Sequence, residues 1–183
     1  MNLSGMDLSA AQFDQTTVFS SFDPNTGQYQ GVNLSGTNVI LSGMAGPVDF
    51  RAVNLASVSF IYSDLSAAQF DQTTIFSFLD PNSGQQQGVN LSGTNATLTG
   101  LTGMIDFRGV NLAGVSFSAS DLSGAQFDQT TIFSFLDPYT GQQQGANLSG
   151  TNAMLTGLTG NIDFRGVNLA GVSFSASDLS GAQ

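Results

Sequence analysis

Two nested periods constrain this chain more than any other feature. Asp7, Asp64, Asp121 and Asp178 open near-identical blocks spaced 57 residues apart, and self-similarity at a fixed spacing marks a repeat architecture. The units run 7–63, 64–120 and 121–177, with a partial fourth over 178–183, so residues 1–183 read as a single domain of one pattern. Inside each block the large apolar residues recur every fifth position, as in Phe107, Leu112, Phe117, Leu122, Phe127 and Ile132. Two residues before each stands another small or β-branched residue: Ile105, Val110, Val115, Ser120, Ala125 and Thr130. A polar or small residue, such as Asp106, Asn111 or Ser116, lies between them.

A period of five matches neither the 3.6 of a helix nor the 2 of a strand. It suits a chain that makes a short extended step and then turns a corner. Along the step alternate side chains share a side, so the two apolar positions point inward and the residue between them points out. The pair that follows, often Ser-Gly or Ala-Gly, turns the corner at little steric cost. Four such steps close a square, with Phe107, Leu112, Phe117, Leu122, Phe127 and Ile132 forming the core ladder.

The run from Phe107 to Phe127, FRGVNLAGVSFSASDLSGAQF, resembles the pentapeptide-repeat family, whose pattern is A-(D/N)-L-x-x. The resemblance spans nearly the whole chain. It implies an all-β fold, a right-handed quadrilateral parallel β-helix with four pentapeptides per coil. At about 20 residues and about 4.8 Å per coil, the chain makes about nine coils at most, roughly 43 Å long.

Each block departs from the pattern twice. The step from Leu158 to Phe164 is six residues, one too many, as in a bulge. The step from Ile132 to Leu148 is 16 and contains Asp137-Pro138-Tyr139-Thr140-Gly141, which reads as a type I turn with Pro at its second position. Three projecting loops are expected, marked by Asp23, Pro24 and Tyr29, by Asp80 and Pro81, and by Asp137, Pro138 and Tyr139. The sequence is compatible with loops that leave the coil and with loops that replace part of it.

Composition speaks against chemistry. Charged residues make up 9% of the chain, against about 25% in ordinary domains. All 13 acidic residues are Asp, and the three basic ones are Arg51, Arg108 and Arg165. With no His, Cys, Lys or Glu, the usual general bases and activated nucleophiles are missing, and the chain reads as a non-enzyme. Asp121 with Asp128 could act as paired carboxylates, but the pair recurs as Asp7 with Asp14 and Asp64 with Asp71. A solvated face explains such copying better than an active site. The Asp-Pro turn resembles a calcium loop only loosely, since it lacks the alternating ligands and final Glu. Neither a metal nor a cofactor is expected. Asp106 and Arg108 read as an exposed ion pair contributing under about 1 kcal/mol.

The Asn-x-Ser sequons at Asn2, Asn33, Asn90 and Asn147, and the neighbouring Asn95-Ala-Thr, follow from the repeat itself. Thr94, Thr97, Thr99 and Thr102 form no ladder that continues through every coil. No apolar run approaches the roughly 18 residues of a membrane span, and no signal peptide is visible, so membrane insertion is not expected. Cytoplasmic and extracellular locations are both compatible with this. A net charge of −10 argues against direct nucleic-acid binding, which needs a basic stripe.

Two functions remain. The resemblance implies the first, since some members are acidic rods that imitate a duplex and inhibit DNA gyrase; the partner would then be a topoisomerase. The charge density fits poorly. Thirteen Asp over about 43 Å is one per about 3.3 Å, against about 1.7 Å in DNA. The second starts from the ends, which carry no helix, Pro or charge cluster to blunt them, whereas solenoids normally carry polar caps. Asn2, Leu3, Leu8, Phe174, Leu179, Ala182 and Gln183 are the predicted end-to-end interface. A head-to-tail contact of this kind does not close and yields a fibre, so the expected partner is a second copy of the chain.

Overall fold

The computed structural model describes residues 1–3, 8, 11–14, 16–37 and 39–183. Regular structure among them is β throughout. One circuit of the chain passes Asn90, Thr97, Thr102 and Asp106 and returns at Asn111, which pairs in parallel with Asn90. The next circuit passes Ser116, Asp121 and Gln126 and returns at Ile132; these pair with Thr97, Thr102, Asp106 and Asn111 below. Four sides therefore make one coil, and parallel main-chain pairing joins each coil to the next.

The sides are short. β7 (Thr97–Thr99) lies against β8 (Ser116–Ser118), with Leu98 opposite Phe117. Its copies are β3 (Ile40–Ser42) against β4 (Ser59–Ile61), and β11 (Met154–Thr156) against β12 (Ser173–Ser175). Burial follows the two-residue alternation of an extended chain: Val110, Leu112, Val115 and Leu122 are fully buried, and Asn111 between two of them is not.

The inserted loops are antiparallel hairpins: β1 (Ser20–Asp23) with β2 (Gln28–Gly31), β5 (Ser77–Leu79) with β6 (Gln86–Gly88), and β9 (Ser134–Leu136) with β10 (Gln143–Gly145). They leave the coil. Partners in adjacent coils stand 21 residues apart at Asn90 and Asn111, but 31 apart at Ser116 and Asn147, where a hairpin intervenes. With the hairpins outside, the stack comes to about seven coils and roughly 34 Å, within the ceiling set by length alone.

The 57-residue unit is not a whole number of coils. From Asn90 the chain completes two circuits to Ile132, passes the third hairpin, and lands at Asn147, which pairs with Ser116 rather than with Ile132. Asn147 is the copy of Asn90, so each unit advances two coils and one further side. Successive units are thus turned by a quarter turn, and the three hairpins climb the solenoid as a spiral with a rise of about 11 Å per step.

The aromatic core follows the same spiral. Phe19, Phe50 and Phe70 stack with centroids 5.3 and 5.5 Å apart; Phe76, Phe107 and Phe127 repeat this at 5.3 and 5.4 Å, and Phe133 meets Phe164 at 5.2 Å. Each stack passes to the next where the chain turns into a hairpin, at Phe70–Phe76 and Phe127–Phe133. Ring pairs of this geometry add about 0.5–1.5 kcal/mol each beyond simple burial.

One rung of the expected ladder is misplaced. Phe107, Leu112, Phe117, Leu122 and Phe127 are buried, but Ile132 is 45% exposed and Phe133 takes the inward position. The cause is the corner after Phe127. The Asp128 N–H donates to Thr131 Oγ1 at 3.2 Å, and the Thr130 N–H donates to Asp128 Oδ1 at 2.8 Å. This closed turn uses one residue more than the other corners. Thr131, not Thr130, is then buried, and its hydroxyl donates to the Phe107 carbonyl of the coil below at 3.0 Å.

Candidate functional site

The corners explain the acidity. Every one of the twelve described Asp residues accepts a hydrogen bond from the backbone N–H two residues on, at 2.8–3.1 Å. Asn33, Asn54, Asn90, Asn111, Asn147 and Asn168 do the same in the equivalent place. This Asx turn replaces a backbone turn bond and needs a short side chain; a Glu, one methylene longer, would not fit the ring. The corner positions therefore favour Asp and Asn over Glu.

Protonation is correspondingly disfavoured at several of these carboxylates. The backbone N–H groups of Ser66, Ser123 and Ser180, followed by their hydroxyls, hold Asp64, Asp121 and Asp178 below the ordinary carboxylate pKa. The backbone N–H of Asn25, Asn82 and Tyr139 does the same for Asp23, Asp80 and Asp137. Asp121 and Asp128, weighed above as a carboxylate pair, are each engaged in their own turn, as are Asp64, Asp71 and Asp14. Asp7 lies outside the described residues. Among the described residues, no group of three or more potential metal ligands comes together.

The hairpin roots gather all three arginines. Arg51, Arg108 and Arg165 make two-pronged contacts to Asp49, Asp106 and Asp163, each with one N–O distance of 2.7 Å. These pairs are half-buried rather than fully exposed at Asp49 and Asp106, because each sits where a hairpin meets the coil above it. Ser77 Oγ donates to the Arg108 carbonyl at 2.5 Å, and Ser134 Oγ donates to that of Arg165. The approach is so close that a Cβ on Gly88 or Gly145 would lie 2.3 or 2.2 Å from the backbone of Gly109 or Gly166. Only glycine fits there. In the third root, Gln143 Nε2 donates to Asp163 Oδ2 at 3.2 Å.

Of the expected loop residues, Asp23, Pro24, Asp80, Pro81, Asp137, Pro138 and Tyr139 stand at the hairpin tips, with Tyr139 86% exposed. Tyr29 belongs to the first hairpin but not to its tip. It lies on the returning strand, half-buried, with the Arg51 guanidinium 3.8 Å over its ring and Phe22 beside it. The roles of Ser77, Ser134, Gly88 and Gly145 escaped the sequence reading, although their recurrence at 57-residue spacing was visible.

The predicted interface residues fall on the first and last coils. Asn2 pairs with Asn33, the Leu3 N–H donates to the Asn33 carbonyl at 2.9 Å, and Leu3 and Leu8 pack partly buried against the core. In the last coil Phe174 is 38% exposed, and Phe164, Leu169 and Leu179 are partly buried. Gln183 is tied to the coil below, its N–H donating to the Ile162 carbonyl at 3.0 Å and its carbonyl accepting from the Phe164 N–H at 2.8 Å. The Ala182 N–H closes the corner onto the Leu179 carbonyl.

These features define a four-sided all-β solenoid with structural corners. Residues 105–132 and 159–183 match the model for pentapeptide repeats, in eight copies. Those two stretches of the chain carry pentapeptide repeats. The structure of full-length QnrB1, a plasmid-mediated fluoroquinolone resistance protein, is similar over 94% of this chain and 79% of its own, with 20% identity and a TM-score of 0.31. HetL, a pentapeptide repeat protein involved in heterocyst differentiation regulation from the cyanobacterium Nostoc sp., is similar over 84% of this chain and 68% of its own, with 17% identity and a TM-score of 0.24. No curated protein matches the chain in sequence.

Proposed function

We propose that the chain is a non-enzymatic structural solenoid whose coils stack head to tail into filaments. The observation that carries this reading is the coil of Phe164, Leu169, Phe174 and Leu179. It copies the coil of Phe107, Leu112, Phe117 and Leu122, residue for residue at 57-residue spacing. The interior coil is at most 7% exposed, whereas its copy keeps an apolar face open. Four large side chains offer about 1.5–3 kcal/mol each on burial. That gross gain of about 6–12 kcal/mol is of the same order as the cost of association, and main-chain pairing adds to it. Assembly is therefore expected to depend on concentration.

The competing reading, an acidic rod presented to DNA gyrase, has weaker support. The Asp residues serve the corners, three of them are neutralised by Arg, and the quarter turn per unit distributes them around all four sides. Sedimentation velocity over a concentration series tests the stacking reading. A growing series of larger species supports it, and a single monomer boundary at every concentration, with gyrase supercoiling inhibited, would transfer the case to mimicry.

A further inference from the structure

We infer that each inserted hairpin straps a slit in the solenoid wall, and that releasing the strap lets the rod open there; this is independent of the stacking reading. Ser116, Asn147 and Asn168 pair in one column, so the circuit from Asn147 to Asn168 lies over the one from Ser116 to Asn147. Among the described residues, two sides of that circuit have no main-chain bond to the side beneath: Thr159 over Gln126, and Asp163 over Ile132. One unit earlier, Thr102 over Gln69 and Asp106 over Ile75 are unbonded in the same way. Several coils lie on either side of this earlier slit, so it owes nothing to the chain ends. A cavity of about 170 Å³ marks the later slit, with Thr131, Ile132 and Phe133 on one lip and Asn161, Ile162 and Asp163 on the other.

Each lip turns its bonding back on itself. On the upper lip the Ile105 N–H donates to the Gly103 carbonyl at 3.2 Å, and the Ile162 N–H to that of Gly160 at 3.1 Å. These are three-residue turns, entered through glycines with φ of 89° and 87°. On the lower lip the Asp71 N–H donates to Thr74 Oγ1 at 3.2 Å, and the Thr73 N–H to Asp71 Oδ1 at 2.8 Å. Parting the lips breaks none of these bonds. From within, the coils touch across the slits through Phe76 and Phe107 at 5.3 Å, and through Phe133 and Phe164 at 5.2 Å.

The hairpins supply the missing crossing. Each leaves the coil at the end of a slit and reaches the coil above. Ser77 Oγ donates to the Arg108 carbonyl at 2.5 Å, and Ser134 Oγ to that of Arg165. Gln143 Nε2 adds a bond to Asp163 on the far lip. In the first root the Arg51 guanidinium crosses to the Tyr29 ring instead. Local opening is favoured where few bonds must break, and here those bonds are concentrated in the hairpin roots.

The chain contains no cysteine, so a single engineered thiol reports its own exposure. Thr74, 3% exposed, stands on the lower lip of the earlier slit, and its copy Thr131 lines the cavity of the later one. Thr94, 1% exposed, stands in a bonded part of the wall, its carbonyl accepting from the Leu65 N–H at 2.8 Å. The rates at which iodoacetamide modifies Thr74→Cys and Thr94→Cys are compared with and without Ser77→Ala. Losing the strap bond should speed modification of Thr74→Cys by about threefold to tenfold, the range one hydrogen bond commands. The rate at Thr94→Cys and the circular dichroism should not change. Equal acceleration at both positions, or loss of the fold, would mean that Ser77 supports the whole rod rather than a slit. No acceleration at either would mean that it holds nothing closed. Each of these results overturns the inference.

Discussion

The coils 107–122 and 164–179 carry the same residues and live in different environments. Phe117 is 7% exposed and Phe174 is 38% exposed, yet each lies in a parallel pair with an identical neighbour below, Leu98 or Leu155. The difference comes entirely from the coil above. In a solenoid, burial belongs to the stacking of neighbours rather than to the residue, as expected where each repeat contacts only the next. A coil without a neighbour above it therefore buries less apolar surface than its interior copy.

The sharpest way to break the comparison is to place a charge in each coil. Leu112→Asp buries an unpaired carboxylate and should unfold the rod, since such groups cost several kcal/mol. Leu169→Asp at the equivalent position should leave a folded monomer with assembly abolished. Far-ultraviolet circular dichroism combined with sedimentation separates the two outcomes, and similar behaviour from both variants would refute the distinction.

Truncation gives a graded version. Leu112→Ala should cost about 2–5 kcal/mol as a cavity in a packed core, and Leu169→Ala about half that, by urea titration. Gly88→Ala should be comparably harmful, at about 3 kcal/mol or more, because its Cβ meets the Gly109 backbone and neither side has a flexible atom to yield.

Smaller effects test the corners. Asp121→Asn keeps the acceptor for the Ser123 N–H and should change the melting temperature little, whereas Asp121→Ala removes it and should lower the melting temperature more. The same pair of substitutions separates charge from architecture, since mimicry would suffer from Asn as much as from Ala. Acidification should destabilise the rod modestly. Asp64, Asp121 and Asp178 have depressed native pKa values, so their contribution is complete above the unfolded Asp value of about 3.9 and is lost as pH falls through the lower native values. Melting temperatures measured from pH 6 to pH 2 should decline below about pH 4. A flat profile would show that the corner bonds contribute nothing measurable.

Much of this architecture was legible in the residues. The five-residue period led directly to the buried rows, because a side of fixed length gives every inward residue the same spacing. It failed at Ile132, where the Asp128–Thr131 turn inserts one residue and exchanges inside for outside. Local hydrogen bonding, not hydrophobicity, decides that exchange. The hairpins were legible as inserts from their Asp-Pro turns, but their spiral was not. It emerges only when pairing shows that 57 residues make two coils and one side, a count that depends on which residues leave the coil. The seat of Tyr29 under Arg51 and the glycine contacts at the hairpin roots are likewise products of that winding.

Negative-stain electron microscopy of the untagged chain across a concentration series tests the central claim most directly. Coil-on-coil stacking predicts uniform, unbranched fibres a single solenoid wide, lengthening with concentration and absent for Leu169→Asp. Discrete rods of roughly 34 Å at every concentration would contradict it.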